Sequence, residues 1–274
     1  MFIFIISLLA STALAVTGSL TFWKVDQFYE FYIPIILFIA GYIASIAMWW
    51  ILIWLFGRIY SPKKIYSKPS KWAKFWLTEG HKWLMLHARI KIKVMGRDKI
   101  PHNKHFLLVC NHRSKFDPMT LIPTLAKKQL AFISKESNFK IPLFSRFMRG
   151  NCYLPVDRSD PLQSLEMMKR ASDLIANNYS SVVVYPEGTR QTEDILGEFH
   201  EGVFNIALRA KCPIVIATTT GTDTVRKCAP FKKSKVKINF LGVLDYSYLE
   251  GKTAKHISDK IHSIMKQQLE RALA

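Results

Sequence analysis

The hydrophobic pattern of the chain begins with two long apolar runs. Residues 2–23 are 22 consecutive positions without a charged side chain, and residues 31–57 are 27. About 20 apolar residues suffice for a helix to cross a bilayer, so each run predicts a transmembrane helix. The short connection 24–30 predicts a tight helical hairpin, with aromatic residues near both membrane faces. A cleaved signal peptide is the alternative for the first run, because Ala13 and Ala15 form an A-x-A site, but the run is long and lacks a basic n-region.

The flank of the second run is strongly basic. Residues 58–74 contain six cations and no acid: Arg58, Lys63, Lys64, Lys68, Lys71 and Lys74. The positive-inside rule therefore predicts that this flank and everything after it are cytoplasmic, in an integral membrane protein. Segment 71–87 mixes aromatic, leucine and basic residues, which favours a helix at the bilayer surface or, equally, a helix packed on a core. We expect a two-helix anchor at 1–57, a basic linker and interfacial helix at 58–88, and a third region at 89–274.

Short apolar runs alternate with helical patterns in the third region. This alternation predicts an α/β fold, a single sheet flanked by helices, behind the N-terminal transmembrane hairpin. The expected strands are 90–95, 106–110, 130–133, 152–156, 182–185, 213–218 and 236–244, and the expected helices include 161–177, 202–211 and 256–273.

The charge of the chain is concentrated after the apolar runs. Residues 58–274 hold 38 basic and 18 acidic side chains, a net charge of +20. Such a surface attracts nucleic acid or anionic lipids and coenzymes. We see no nucleic-acid-binding motif and expect no nucleic-acid partner. The four cysteines lack paired short spacing, so we expect buried thiols that form neither disulfides nor zinc sites.

One group of polar residues follows the expected strand 106–110. His112 and Asp117 lie in Asn111-His-Arg-Ser-Lys-Phe-Asp-Pro118, just past the strand, where α/β sheets place ligands. A turn between them would bring the carboxylate to the imidazole, giving a base and its orienting group. Asp117 followed by Pro118 also predicts the N-cap and first residue of a helix. A surface histidine beside a simple helix cap is the alternative.

A second group follows the expected strand 182–185. Tyr185-Pro-Glu-Gly-Thr-Arg190 offers a glycine that permits a tight turn, and donors on Thr189 and Arg190 that suit an anion. A strand-ending turn with a Glu187–Arg190 ion pair is the alternative. Arg158 follows the strand at 152–156 and could be another anion contact or a solvated charge.

These motifs together resemble the glycerolipid acyltransferases with HxxxxD and EGTR motifs, most closely the 1-acyl-sn-glycerol-3-phosphate acyltransferase family. The resemblance covers roughly residues 80–220. It departs from the family pattern at Ile216, where a second proline often stands, and at Glu201, where a basic residue is common.

The resemblance implies a membrane-bound O-acyltransferase that moves a fatty acyl group from acyl-CoA or acyl-carrier protein to the sn-2 hydroxyl of lysophosphatidic acid. The catalytic pair would be His112 as general base with Asp117. No cofactor or metal is expected. The acceptor-phosphate contacts would be Arg158, Glu187, Gly188, Thr189 and Arg190, and the partners are the phospholipid membrane, the lysophospholipid and the donor.

Other functions stay open at this point. Another lysophospholipid could be the acceptor. A membrane-anchored lipid hydrolase could use Ser114, although the chain has no G-x-S-x-G elbow, or a metal held by His102, His105, His112 and Asp117. A non-catalytic lipid-binding protein is a third possibility.

Overall fold

The structure is a computed structural model that describes residues 2–22, 32–142, 144–157, 159–191 and 195–273. The chain divides into two compact units, Met1–Ser61 and Pro62–Ala274. The predicted connection 24–30, with Trp23, lies outside the described residues. The proposed boundaries at 57 and 88 stay predictions.

The first unit consists of two long apolar helices, α1 (Phe2–Phe22) and α2 (Tyr32–Gly57), which pack against each other. Small residues allow this close packing. A Cβ on Gly18 would clash with Leu37 Cδ1, and one on Gly41 would lie 3.0 Å from Leu14 Cδ2. Close approach through glycine is typical of helix pairs in membranes. Both helices are long and apolar enough to cross a bilayer, and most of their apolar side chains are exposed.

The second unit is built on one seven-stranded sheet, in the order β1-β7-β6-β2-β5-β3-β4. Strands β2 to β6 run parallel to one another, β7 is antiparallel to β6, and β1 is parallel to β7. The strands are β1 (Ile90–Met95), β2 (Leu107–Cys110), β3 (Leu130–Lys135), β4 (Leu154–Val156), β5 (Ser181–Val184), β6 (Ile214–Thr220) and β7 (Ser234–Leu244).

Helices connect these strands and cover the sheet. They are α3 (Lys71–His87), α4 (Phe116–Thr124), α5 (Phe144–Gly150), α6 (Pro161–Ala176), α7 (Asn205–Ala210), α8 (Val225–Cys228), α9 (Tyr246–Leu249) and α10 (Ala254–Leu273), with 3-10 turns at Arg97–Lys99, Glu136–Lys140 and Glu201–Phe204. The α/β class and the seven predicted strands are confirmed, and most strand ends move by one or two residues.

Helix α3 packs one face on the domain and exposes the other. Trp76, Leu77 and Met85 are buried, and the helix contacts α4 and α5. Trp72 on the opposite face is 58% exposed. The helix is therefore part of the domain core, and its exposed aromatic face keeps the surface-helix prediction open.

The middle of the sheet positions the candidate site. Strands β2, β5 and β6 are adjacent, parallel and fully buried over most of their length. Their carboxyl ends therefore meet at one edge. The three connections that leave this edge are 111–115 after β2, 185–200 after β5 and 221–233 after β6, and we call this edge the site edge.

Candidate active site

The imidazole of His112 and the carboxylate of Asp117 form the centre of the site. Nδ1 of His112 lies 2.8 Å from Oδ2 of Asp117. The Asp117 side chain is completely buried, while the His112 side chain is 19% exposed. With Nδ1 engaged by the carboxylate, Nε2 is the nitrogen left to exchange a proton with a ligand. This is the base-and-orienter geometry expected from the sequence.

Asp117 is held by groups on both of its oxygens. Oδ2 also accepts hydrogen bonds from the backbone N–H groups of Arg113 (2.7 Å) and Ser114 (2.8 Å), and Oδ1 accepts one from the Thr222 hydroxyl. Hydrogen bonds to an ionised acceptor are the stronger kind, and here they satisfy a carboxylate that water cannot reach.

The prediction that Asp117 is the N-cap of its helix is wrong. Helix α4 begins at Phe116, and Lys115 occupies the N-cap position without a side-chain cap. Asp117 therefore lies in the first turn. Its carboxylate turns back to the loop 111–115 because three donors converge there, which outweighs the one or two N–H groups that a cap would serve.

Tyr185, the first residue after β5, packs against the imidazole of His112. The rings of His112 and Tyr185 are stacked, with centroids 4.4 Å apart and an angle of 24° between their planes. Burial raises the pKa of the Tyr185 hydroxyl well above its usual value, so the phenol stays neutral.

Glu187 joins the loops after β2 and β5. Its Oε1 accepts a hydrogen bond from the backbone N–H of His112 (2.6 Å), and its Oε2 accepts one from Gly197 (2.9 Å). The backbone N–H of Gln191 in turn donates to the carbonyl of His112 (2.9 Å). Burial raises the pKa of Glu187, which the two N–H donors partly oppose. Glu187 thus positions the backbone of His112, and its predicted contact with a phosphate stays a prediction.

The other predicted anion contacts lie in the same turn. Gly188 has a φ of 69°, the left-handed conformation that favours glycine, and its N–H closes the turn onto Tyr185 O (3.0 Å). Thr189 and Arg190 are exposed just beyond it. The structure therefore brings Glu187, Gly188, Thr189 and Arg190 to the site edge with His112. Arg158 lies outside the described residues.

Two site residues were missed by the sequence analysis, Asn111 and Thr222. The Asn111 side chain accepts from Thr219 N (2.7 Å) and donates to Thr219 O (3.0 Å), which continues the β2–β6 pairing past the end of β2. Thr222 donates to Asp117 from the loop after β6. The position of Thr222 could have indicated it from the sequence, because Thr222 follows an apolar strand as closely as His112 does.

The structure does not assemble the alternative metal site. His105 precedes β2, and its Nδ1 hydrogen-bonds the Ser181 hydroxyl (3.0 Å), whereas His112 follows β2 at the other end. A strand rises about 3.3 Å per residue, so the two imidazoles lie at opposite ends of the sheet. Over the described ranges, no group of three or more His, Cys, Asp or Glu side chains could hold a metal ion.

The cysteines are free thiols. Cys110, Cys152 and Cys212 are buried, and Cys228 is half-buried. Burial raises the pKa of Cys152 to about 11 and that of Cys212 to about 12, so neither is a thiolate at neutral pH.

Comparison with known proteins agrees with this geometry. Residues 91–218 match the protein family described as Acyltransferase, and this range includes β1 to most of β6 with His112, Asp117 and Glu187. This part of the chain therefore resembles the Acyltransferase family.

The similar proteins are more specific. A chloroplastic 1-acyl-sn-glycerol-3-phosphate acyltransferase of Arabidopsis thaliana is 30% identical over 154 residues, 56% of this chain and 41% of that protein. The enzyme of that name from Streptococcus pneumoniae is 29% identical, over 55% of this chain and 54% of its own length. The enzyme of that name from Bacillus subtilis is 27% identical, over 62% of this chain and 83% of its own length. These matches confirm the resemblance to the 1-acyl-sn-glycerol-3-phosphate acyltransferase family.

A solved structure supports the fold. The acyltransferase PlsC from Thermotoga maritima, described as a 1-acyl-sn-glycerophosphate acyltransferase, superposes with a TM-score of 0.57, over 73% of this chain and 78% of that one, at 20% identity. The chain spans about two fifths to one half of the length of the first relatives that it matches.

Proposed function

We propose that this protein is a membrane-bound O-acyltransferase that moves a fatty acyl group from acyl-CoA or acyl-carrier protein to the sn-2 hydroxyl of lysophosphatidic acid, giving phosphatidic acid. The observation that carries the proposal is the contact of His112 Nδ1 with the completely buried Asp117. This contact leaves Nε2 of His112 without a part in the pair, and the proposal makes that nitrogen the general base. The names of the similar proteins supply the acceptor.

The proposed reaction needs no covalent acyl-enzyme. Nε2 of His112 takes the proton of the acceptor hydroxyl while that oxygen attacks the thioester carbonyl. Asp117 fixes the neutral tautomer and then stabilises the imidazolium. When the tetrahedral intermediate collapses, the C–S bond breaks and the thiolate takes the proton back from His112. The products are the ester and the free thiol.

The phosphate of the acceptor is proposed to lie near the turn after β5. Arg190 and Thr189 are exposed there, and Gly188 turns the backbone sharply, so cationic and hydroxyl donors are available to an anion. Arg158 is assigned to the same phosphate on the resemblance alone. The net charge of +20 after residue 57 favours anionic substrates generally.

The membrane part of the proposal rests on α1 and α2. Both are long and apolar enough to span a bilayer, and the basic flank 58–74 favours the cytoplasmic side for the second unit. An integral anchor would hold the enzyme at the surface where a lysophospholipid resides.

The proposal is tested with the purified full chain in detergent micelles. It is incubated with lysophosphatidic acid and with lysophospholipids of other head groups, each with acyl-CoA and with acyl-carrier protein, with and without a chelator, and the products are identified by mass spectrometry. We expect phosphatidic acid from lysophosphatidic acid, insensitive to the chelator.

The outcomes separate the alternatives. Preferential acylation of another lysophospholipid would replace the proposed acceptor. Thiol release that does not need an acceptor would indicate a hydrolase. His112→Ala should lower transfer by at least about 10²-fold, the usual contribution of a general base. His102→Ala, an exposed histidine outside the site, is the matched control, and equal activity of the two variants would contradict the mechanism.

A further inference from the structure

An exposed basic stretch runs from α8 through the connection between β6 and β7 to the first four residues of β7. Residues 225–237 contain Arg226, Lys227, Lys232, Lys233, Lys235 and Lys237, and the whole stretch 224–244 contains no acidic residue. All six cations are exposed. In the part of the chain that the structure describes, none of them is within ion-pair distance of a carboxylate. We call residues 225–237 the basic loop.

An aromatic side chain projects from the middle of this loop. Phe231 is 84% exposed, although it is a large apolar residue. A single exposed apolar residue is ordinary on a protein surface. Phe231 differs because Lys232 and Lys233 follow it directly and Arg226 and Lys227 precede it by a few residues. An aromatic residue surrounded by cations is the composition that binds the boundary between lipid head groups and acyl chains.

The loop holds Phe231 in a defined place. The backbone N–H of Lys232 donates to Cys228 O (2.7 Å), and Nη1 of Arg89 donates to Phe231 O (2.8 Å). The main chain on both sides of the aromatic ring is therefore fixed, so the exposure of Phe231 is a property of the folded loop.

The same connection reaches the active site. It begins at Gly221, with a φ of 82°, where an added Cβ would clash with the carbonyl oxygen of Lys235, so the start of the connection lies against the start of β7. The next residue, Thr222, donates to Asp117. The basic loop therefore leaves the sheet at the site edge, beside the loop that carries His112.

Protection of a sheet edge does not explain these cations. Lysines on edge strands discourage pairing with other chains. The edge strand is β1, whereas β7 is covered by β1 and β6, and Arg226, Lys227, Lys232 and Lys233 precede β7. Lys235 also stands directly opposite Lys91 of β1, a pair of like charges that costs stability unless an anion is nearby.

We propose that the basic loop is a second membrane contact, in which Phe231 inserts at the head-group boundary of an anionic phospholipid bilayer while the surrounding cations bind lipid phosphates. The occupant is a lipid surface because α1 and α2 are long and apolar enough to insert in a bilayer. The choice of this occupant rests on the membrane part of the proposed function. The contact would present the site edge to the bilayer.

The experiment places an environment-sensitive fluorophore at the tip of the loop. Phe231→Cys is made in the full chain with Cys228→Ser, since the other three cysteines are buried, and is labelled with NBD. The labelled protein is placed in nanodiscs of phosphatidylcholine alone or with phosphatidylglycerol, with and without doxyl-labelled lipid. The control is Lys104→Cys in the same background, an exposed position that precedes β2 at the opposite end of the sheet.

We expect blue-shifted emission and doxyl quenching for the label at 231 in the anionic discs, less in the neutral discs, and neither for the label at 104. Each lysine near an anionic surface shifts binding by roughly fivefold, so Lys232→Gln with Lys233→Gln should lower the docked-to-free ratio by an order of magnitude or more. Lys255→Gln with Lys260→Gln on α10 makes the same charge change and should leave it unaltered.

Two results would overturn the proposal. One is a label at 231 that stays in water in anionic discs, as the label at 104 does. The other is a label at 231 that responds when an acidic carrier protein is added to the neutral discs but does not respond to anionic lipid, which would make the occupant a protein. The fluorescence experiment measures membrane contact and not acyl transfer. Its outcome can therefore be interpreted even if the proposed acyltransferase activity fails.

Discussion

The hydroxyl of Thr222 donates a hydrogen bond to Oδ1 of Asp117, across 105 residues of sequence. Both side chains are completely buried. This contact fixes the carboxylate so that its other oxygen meets Nδ1 of His112. Thr222 does not touch a reacting atom in the proposed mechanism and is therefore a positioning residue.

Thr222→Val should lower kcat about 10- to 100-fold with little change in KM. Valine keeps the volume of threonine but leaves one oxygen of a buried carboxylate unsatisfied, which costs about 1–3 kcal/mol. Thr222→Ser keeps the hydroxyl and should recover most of the rate. Steady-state kinetics over a range of pH would check this, because a purely structural defect would lower stability without altering the pH profile. A valine variant with the rate and profile of the parent would contradict the role.

Asp117→Asn should abolish most activity while the fold persists. The amide places an NH₂ group where the carboxylate accepts from His112, Arg113 and Ser114, so the imidazole loses its orienting acceptor. We expect a loss of about 10²–10⁴-fold, as for a general base in the wrong tautomer. The rate is compared with Asp223→Asn, an exposed aspartate in the same connection as Thr222, and circular dichroism verifies folding. Similar rates for both variants would exclude the proposed pair.

Glu187→Gln should change both activity and the pH dependence of stability. Its amide cannot accept from both His112 N and Gly197 N, so the loop that carries His112 loosens and activity falls. Burial raises the folded-state pKa of Glu187 above its ordinary value of 4.5. The folded protein therefore binds this proton more tightly than the unfolded chain does. Its contribution to stability is therefore complete below the unfolded pKa and is lost as the pH rises through the folded pKa.

The glutamine variant should lack this fall in stability above about pH 4.5. Thermal unfolding from pH 4 to 8, compared with Glu198→Gln, an exposed neighbour in the same loop, would show it. Parallel curves for the parent and Glu187→Gln would refute the assignment.

Alkylation should begin at Cys228. It is half-buried, whereas the other three thiols are buried and burial raises their pKa values. Under native conditions iodoacetamide should modify Cys228 first, and denaturation should make all four react. Peptide mass spectrometry over time gives the order, and early modification of Cys110 would show that the site edge opens in solution.

The parts of the site that are local in sequence could be predicted. His112 and Asp117 are five residues apart after one apolar strand, and a turn of that length can return a carboxylate to an imidazole. Gly188 likewise predicts the tight turn in which it lies. The helix cap at Asp117 was wrong because its competing donors, the N–H groups of Arg113 and Ser114, depend on the path of the loop.

Contacts between site residues that are far apart in the sequence could be predicted only with the order of the strands in the sheet. Nothing near Thr222 in the sequence indicates Asp117, and the contact follows only once β6 is known to lie beside β2. The same holds for the backbone of His112 and Glu187, which meet because β5 is the other neighbour of β2. The proposed role of Arg158 stays a prediction.

The distance between Asp117 and Thr222 along the chain also bears on synthesis. A ribosome adds about 5–20 residues per second, so roughly 5–20 s separate the two residues as they are made. During that interval the apolar N-terminal helices have already emerged, while His112 and Asp117 still lack β6 and the Thr222 that follows it. A nascent chain can thus meet the bilayer before its dyad is complete. Truncation before residue 222 should then leave a protein that reaches membranes but transfers no acyl groups.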